Sequence, residues 1–137
     1  MRFVLDASAA IKWYAAEPES EDALRLLQDG SAFVAPDILP LEVASVLLRK
    51  ERRGELKAGT AGAALLDLDQ VGCDLVPHGP LLKRATALAT THRIGVLDCL
   101  YLIVGRERGL PIMSYDAGMR RLAQHLSLPL WPSDDVA

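Results

Sequence analysis

Arg2-Phe3-Val4-Leu5-Asp6-Ala7-Ser8 is the stretch that decides the fold: a short apolar run that stops on a carboxylate. A fully apolar run bounded by a polar residue reads as a buried strand in a parallel sheet. An acid at the carboxyl end of such a strand stands where open α/β sheets build their ligand crevices. Buried alone, that charge is costly, so it must be neutralised, hydrated or bound to a cation. The rest of the sequence is read for other acids that arrive at the same place.

Outward from this strand, Ser8 to about Ala16 reads as a helix stopped by Pro18. Glu19–Gln28 follows as a second, with Gly30 as its stop signal. Ala32–Ala35 is a short strand, and Leu39–Arg53 is the clearest helix, closed by Gly54. Ala58–Val71 is a helix weakened by Gly59 and Gly62. Asp74–Pro77 reads as a strand, Pro80 opens a helix to about His92, and Asp98–Arg108 is a helix ended by Gly109. Leu110–Ser114, a helix from about Asp116 to His125, and Leu128–Trp131 complete the alternation. Strands alternating with helices predict a three-layer α/β/α sandwich around a central, mostly parallel sheet. The expected organisation is a single domain over residues 1–137, without repeats or linkers.

The composition, 50% hydrophobic and 24% charged, fits an ordinary soluble globular protein. No apolar stretch approaches a membrane span. Met1 leads straight into the first strand without a signal-like segment, so a cytoplasmic location and no membrane partner are expected. Cys73 and Cys99 form no CxxC pair and read as small apolar side chains. His78, His92 and His125 show no metal-site spacing, and surface or packing roles are preferred for them. The net charge of −3 argues against binding nucleic acid through bulk charge alone. Basic residues do cluster locally, as Arg49, Lys50, Arg52 and Arg53, Arg106 with Arg108, and Arg120 with Arg121. Such runs are usually solvated helix ends favoured by the helix dipole.

Four acids fall at element junctions: Asp6, Glu42, Asp98 and Asp116. Taken singly, Asp6, Asp98 and Asp116 read equally well as helix N-caps. Glu42 reads as a complement to its helix dipole, although its neighbours Leu41, Val43, Ala44, Leu47 and Leu48 are apolar. Taken together they carry more weight. In a parallel sheet, strand carboxyl ends and the following helix amino ends share one edge, so these acids converge. Converging carboxylates raise one another's pKa and call for hard, oxygen-preferring divalent cations, Mg²⁺ or Mn²⁺. Two such ions about 3.5–4 Å apart would stabilise the attacking and leaving oxygens of phosphodiester hydrolysis.

Four stretches then carry a family resemblance, in order and across essentially the whole chain. They are Val4-Leu5-Asp6-Ala7-Ser8, Leu41-Glu42-Val43-Ala44-Ser45-Val46-Leu47, Asp98-Cys99-Leu100-Tyr101-Leu102 and Ile112-Met113-Ser114-Tyr115-Asp116. On these the sequence resembles the PIN-domain ribonucleases, and within them the VapC-type toxins of bacterial and archaeal toxin–antitoxin pairs. The resemblance implies a PIN-like fold and metal-dependent hydrolysis of RNA by activated water, without a covalent intermediate. It implies that Asp6, Glu42, Asp98 and Asp116 are the catalytic, metal-binding acids. Asp6 and Asp116 would be direct or water-mediated ligands, Asp98 a ligand opposite them, and Glu42 a holder of a second ion or of the nucleophilic water. Ser8 matches the family's hydroxyl residue, while Ser45 stands where Asn is frequent and Ser114 where Thr is usual. Leu97 and Cys99 flank Asp98 where Tyr and Ala are common. An RNA substrate, an antitoxin protein and a homodimer are the implied partners.

Within that expectation, Arg49 and Lys50 beside the Glu42 helix and Lys12 behind the Asp6 motif become candidate phosphate contacts. Core packing is expected for Trp13, and both core and partner roles stay open for Tyr14. A receiver domain would need an acidic pair at the first strand and a late Lys. A haloacid-dehalogenase-type phosphatase would need an Asp where Ser8 stands. The alternative of a different class is a catalytically silent PIN fold that binds RNA or protein without cutting.

Overall fold

In the computed structural model, which describes residues 1–133, thirty-three apolar residues are buried in a single cluster around a five-stranded sheet. The last four residues of the expected 1–137 domain lie outside the described part. The strands are β1 (Arg2–Leu5), β2 (Ala32–Pro36), β3 (Asp74–Val76), β4 (Ile112–Met113) and β5 (Leu130–Trp131). Their spatial order is β3-β2-β1-β4-β5, and every pairing is parallel, so the expected mostly parallel sheet is parallel throughout. Phe3, Val4 and Leu5 of β1 and Ile112 and Met113 of β4 are all buried on successive residues. Successive strand residues point to opposite faces, so both faces of the sheet are covered. Exposed Asp74 and Leu75 mark β3 as an edge.

The helices are α1 (Ala7–Ile11), α2 (Ser20–Gln28), α3 (Leu39–Arg52), α4 (Thr60–Val71), α5 (Leu82–His92), α6 (Val96–Arg108) and α7 (Ala117–His125). With the sheet between them they make the three-layer α/β/α sandwich expected of the alternating pattern. Helix α6 is buried continuously from Cys99 to Gly105 and packs on β1, β2 and β4. Gly105 is what lets it approach: a Cβ there would run into the Ile112 side chain and lie 3.3 Å from the Leu110 carbonyl.

The chain order β1→β2→β3, followed by a return to β4→β5 on the far side of β1, places the topological switch between β1 and β4. Crevices for ligands open at such points, beyond the strand carboxyl ends. Asp6 follows β1 and Ser114-Tyr115-Asp116 follows β4, so both flank the switch.

The first helix is shorter than the expected Ser8–Ala16. After Ile11 the chain tightens into i→i+3 bonds, Lys12 N–H to Ala9, Trp13 N–H to Ala10 and Tyr14 N–H to Ile11. Ser20 Oγ donates to the Ala15 carbonyl and accepts from Glu17 N–H, fixing the turn before Pro18 can act as the stop. Trp13 is core as expected: its indole N–H donates to the Ala23 carbonyl at 2.8 Å and its ring packs on Phe33. Tyr14 is half-buried, with its hydroxyl on Asp67 at 2.7 Å. Both cysteines are free.

Candidate active site

Asp6 occupies the cap position of α1 in extended conformation, and its backbone N–H donates to the Met113 carbonyl of β4. Its side chain does not cap the helix. It is only 4% exposed, and Oδ2 accepts hydrogen bonds from Ser8 Oγ at 2.6 Å and Ser114 Oγ at 2.8 Å. Each hydroxyl spends its single proton on Asp6, so the 3.3 Å approach between the two serine oxygens is a contact rather than a further bond. The same oxygens accept from the backbone: Tyr115 N–H reaches Ser8 at 2.9 Å and Asp116 N–H reaches Ser114 at 3.1 Å. The loop after β4 is thus tied through two hydroxyls to the acid after β1. Burial pushes the Asp6 carboxyl above its usual range, against the pull of the two hydroxyls, and the Asp116 charge pushes the same way.

Asp116 is a true N-cap, its Oδ2 accepting from Met119 N–H at 2.8 Å. Asp98 is not a cap. Helix α6 starts at Val96 with Gly95 as its cap, which places Asp98 in the first turn, within electrostatic reach of the other acids. Among the described residues its carboxylate has no hydrogen-bond donor and no ion-pair partner. Its pKa is pushed up to about 6, by burial first and then by Asp6, Asp116 and Glu42. Glu42, in the first turn of α3, is raised by burial and by Asp6. It is held by Tyr101, whose hydroxyl donates to Oε1 at 2.7 Å.

Tyr101 received no role from the sequence, although it lies inside one of the quoted motifs. Its side chain is fully buried one turn after Asp98, so its hydroxyl requires a partner. A lone tyrosine among Leu100, Leu102, Ile103 and Val104 was the available signal.

Asp98 therefore feels the charges of the other three acids, and no lysine or arginine pairs with any of the four among the described residues. The donor set is oxygen only, which suits a hard divalent cation. No three His, Cys, Asp or Glu side chains among the described residues lie close enough to ligate one ion directly.

The remaining sequence candidates separate. A groove of ≈ 270 Å³ beside the acids is lined by Ser8, Lys12, Lys50, Tyr115 and Asp116, among others. Lys12 is no free cation: it is buried, pairs with Glu19 at 2.7 Å and Glu17 at 3.7 Å, and lies over the Tyr115 ring. Lys50 is half-buried, with Glu55 at 4.0 Å. Ser45 and Arg49 are exposed on α3, and no hydrogen bond ties either to the acids.

The fold is that of an α/β protein whose ligand crevice, at the switch point, carries acids that pair with no lysine or arginine among the described residues. Residues 3–124 match the family model described as the PIN domain, and the chain belongs to the PIN-domain family. It is 32% identical over 126 residues to "Ribonuclease VapC3" of Pyrobaculum aerophilum, covering 90% of this chain and 94% of that one. It is 30% identical over 130 residues to "Ribonuclease VapC3" of Mycobacterium tuberculosis, covering 95% and 88%. "Ribonuclease VapC1" of the same organism is 31% identical over 126 residues, covering 92% of each chain.

Proposed function

We propose that this protein is a Mg²⁺- or Mn²⁺-dependent endoribonuclease, the toxin of a toxin–antitoxin pair, acting as one domain over residues 1–137. The observation that carries the reading is the convergence of Asp6, Glu42, Asp98 and Asp116, each raised or raising another, with no cation among the described residues to balance them. The similarity to relatives named Ribonuclease VapC supplies the substrate class.

A bound divalent ion would supply charge stabilisation at the phosphate and a water of lowered pKa. The chain's own residues hold the acids ready for it. Asp6 is oriented by Ser8 and Ser114, so its position is set by the β1–β4 register. Tyr101 fixes Glu42, and the first turn of α7 fixes Asp116. Asp98, without a donor among the described residues, is the acid with most to gain from a ligand. Lys50 lines the groove on the α3 side, and exposed Arg49 precedes it on the same helix; both would meet phosphates of the strand. An antitoxin protein and a second copy of the chain are the proposed partners, and the cytoplasm the proposed compartment.

The test is cleavage of a structured RNA by purified protein with Mg²⁺, Mn²⁺ or EDTA. Cleavage in either metal, abolished by EDTA and by Asp6→Asn with unchanged circular dichroism, is the expected outcome. Binding of RNA without cleavage under all three conditions would instead establish the non-cutting module.

A further inference from the structure

Two clefts lie near Asp116, one lined by it and one by its neighbour Gly118, and their linings differ. One is the lysine groove described above. The other, ≈ 290 Å³, lies between the end of α5 and one face of α7, lined by His92, Ile94, Gly118, Arg121, Leu122 and His125. It abuts the acids: a Cβ placed on Gly118 would sit 3.4 Å from Asp116 Oδ2. Inside it the His92 and His125 rings meet edge to face with centroids 5.3 Å apart. Neither imidazole has a hydrogen-bond partner among the described residues, and exposed Arg121 has no ion pair there. Half-buried Ile94 and buried Leu122 add apolar surface.

Aromatic faces, an apolar floor and an unpaired guanidinium are what a single-stranded nucleotide requires, for its base and its phosphate respectively. The lysine groove offers point charges, which bind phosphate without reading a base. One of them, Lys12, is already committed to Glu19.

We infer that the His92–His125–Arg121 cleft is a nucleotide subsite, which stacks one base of the RNA strand beside the acids and binds its phosphate through Arg121. The strand's place at Asp116 rests on the ribonuclease reading, but nucleotide binding in the cleft requires no cleavage. Base preference is set on this side of the acids, and the lysine side is tolerant of sequence.

Imidazole Cε1–H resonances of the full chain, followed in EDTA while a mixed-sequence single-stranded RNA hexamer is added, test this directly. The chain has three histidines, and His78 serves as the internal control because it is bonded to Asp37 at 2.8 Å beyond β2 and β3. The His92 and His125 signals should shift and saturate together while His78 stays. Arg121→Ala should weaken binding about tenfold, and His125→Ala about 5- to 100-fold. With Mn²⁺, Arg121→Ala should raise KM and leave kcat near wild type, whereas Asp6→Asn removes kcat. Absence of any cleavage would sink the ribonuclease reading and leave the resonance result standing. The subsite is overturned if all three histidines shift alike, if the His92 and His125 signals do not move, or if cleavage proceeds with wild-type KM in Arg121→Ala. It is equally overturned if His92 and His125 shift with protein concentration alone, which would mark a contact between copies of this chain.

Discussion

The two sides of the crevice treat their carboxylates in opposite ways. On the strand side, Asp6 is buried and receives two hydroxyl donors that are themselves held by backbone N–H groups. On the helix side, Asp98 stands in the first turn of α6 with three like charges near it and no donor among the described residues. The strand-side acid is satisfied by donors of the fold itself, and Asp98 on the helix side has none among the described residues. Glu42 is intermediate, with one donor from Tyr101. On the proposed reading, the contrast separates residues that build the site from Asp98, which would take up the cation.

The largest effect that probes this contrast is catalytic and should be the same on both sides. Asp6→Asn and Asp98→Asn should each lower RNA cleavage by about 10²–10³-fold or more, as loss of a preorganised charge does. Stability should then split them. Asp6→Ala strips buried Ser114 and half-buried Ser8 of their hydroxyl acceptor and should cost about 1–3 kcal/mol in urea unfolding. Asp98→Asn removes an unmet charge and should raise Tm in EDTA at pH 7.5. Equal Tm changes for the two would erase the distinction.

Ser114→Ala should come next, since it removes a donor from Asp6 and the acceptor of Asp116 N–H at once. A loss of about 1–3 kcal/mol is expected for the buried groups left unpaired, along with reduced cleavage. The smallest effect should be that of Tyr101→Phe, about 0.5–1.5 kcal/mol for one hydrogen bond. A pH optimum moved upward in this variant would reflect the higher pKa of a Glu42 that has lost its donor.

A pH scan sharpens the same contrast. Asp98 titrates at about 6 in the fold, above its ordinary 3.8, so the folded state holds its proton longer than the unfolded chain. That contribution to stability is full below pH 3.8 and is lost as pH rises through about 6. Thermal unfolding of wild type and Asp98→Asn in EDTA should therefore diverge as pH rises from 4 to 7. Mg²⁺ should close the gap above pH 6 by stabilising the folded wild type.

Much of this was legible in the sequence because the decisive signals are local. Apolar runs that end on acids gave β1 and β4, Gly109 gave the end of α6, and the alternation of elements gave the sheet. The short α1 was not legible, because its end is set by Ser20 and Trp13 bonding across the next turn. Asp98 was open to reading as a cap because Gly95 gives no side-chain signal at the true start of α6. Lys12 and Tyr101 depend on which side chain lies opposite, Glu19 in one case and Glu42 in the other. Sequence spacing does not carry that information.

The most direct measurement is Mn²⁺ titration by calorimetry at pH 7.5 on the wild type, Asp6→Asn and Asp98→Asn. Saturable binding in the wild type, lost in both variants while their circular dichroism is unchanged, is the predicted result. Equal binding in all three, or RNA cleavage that persists in EDTA, would contradict a cation site built from these carboxylates.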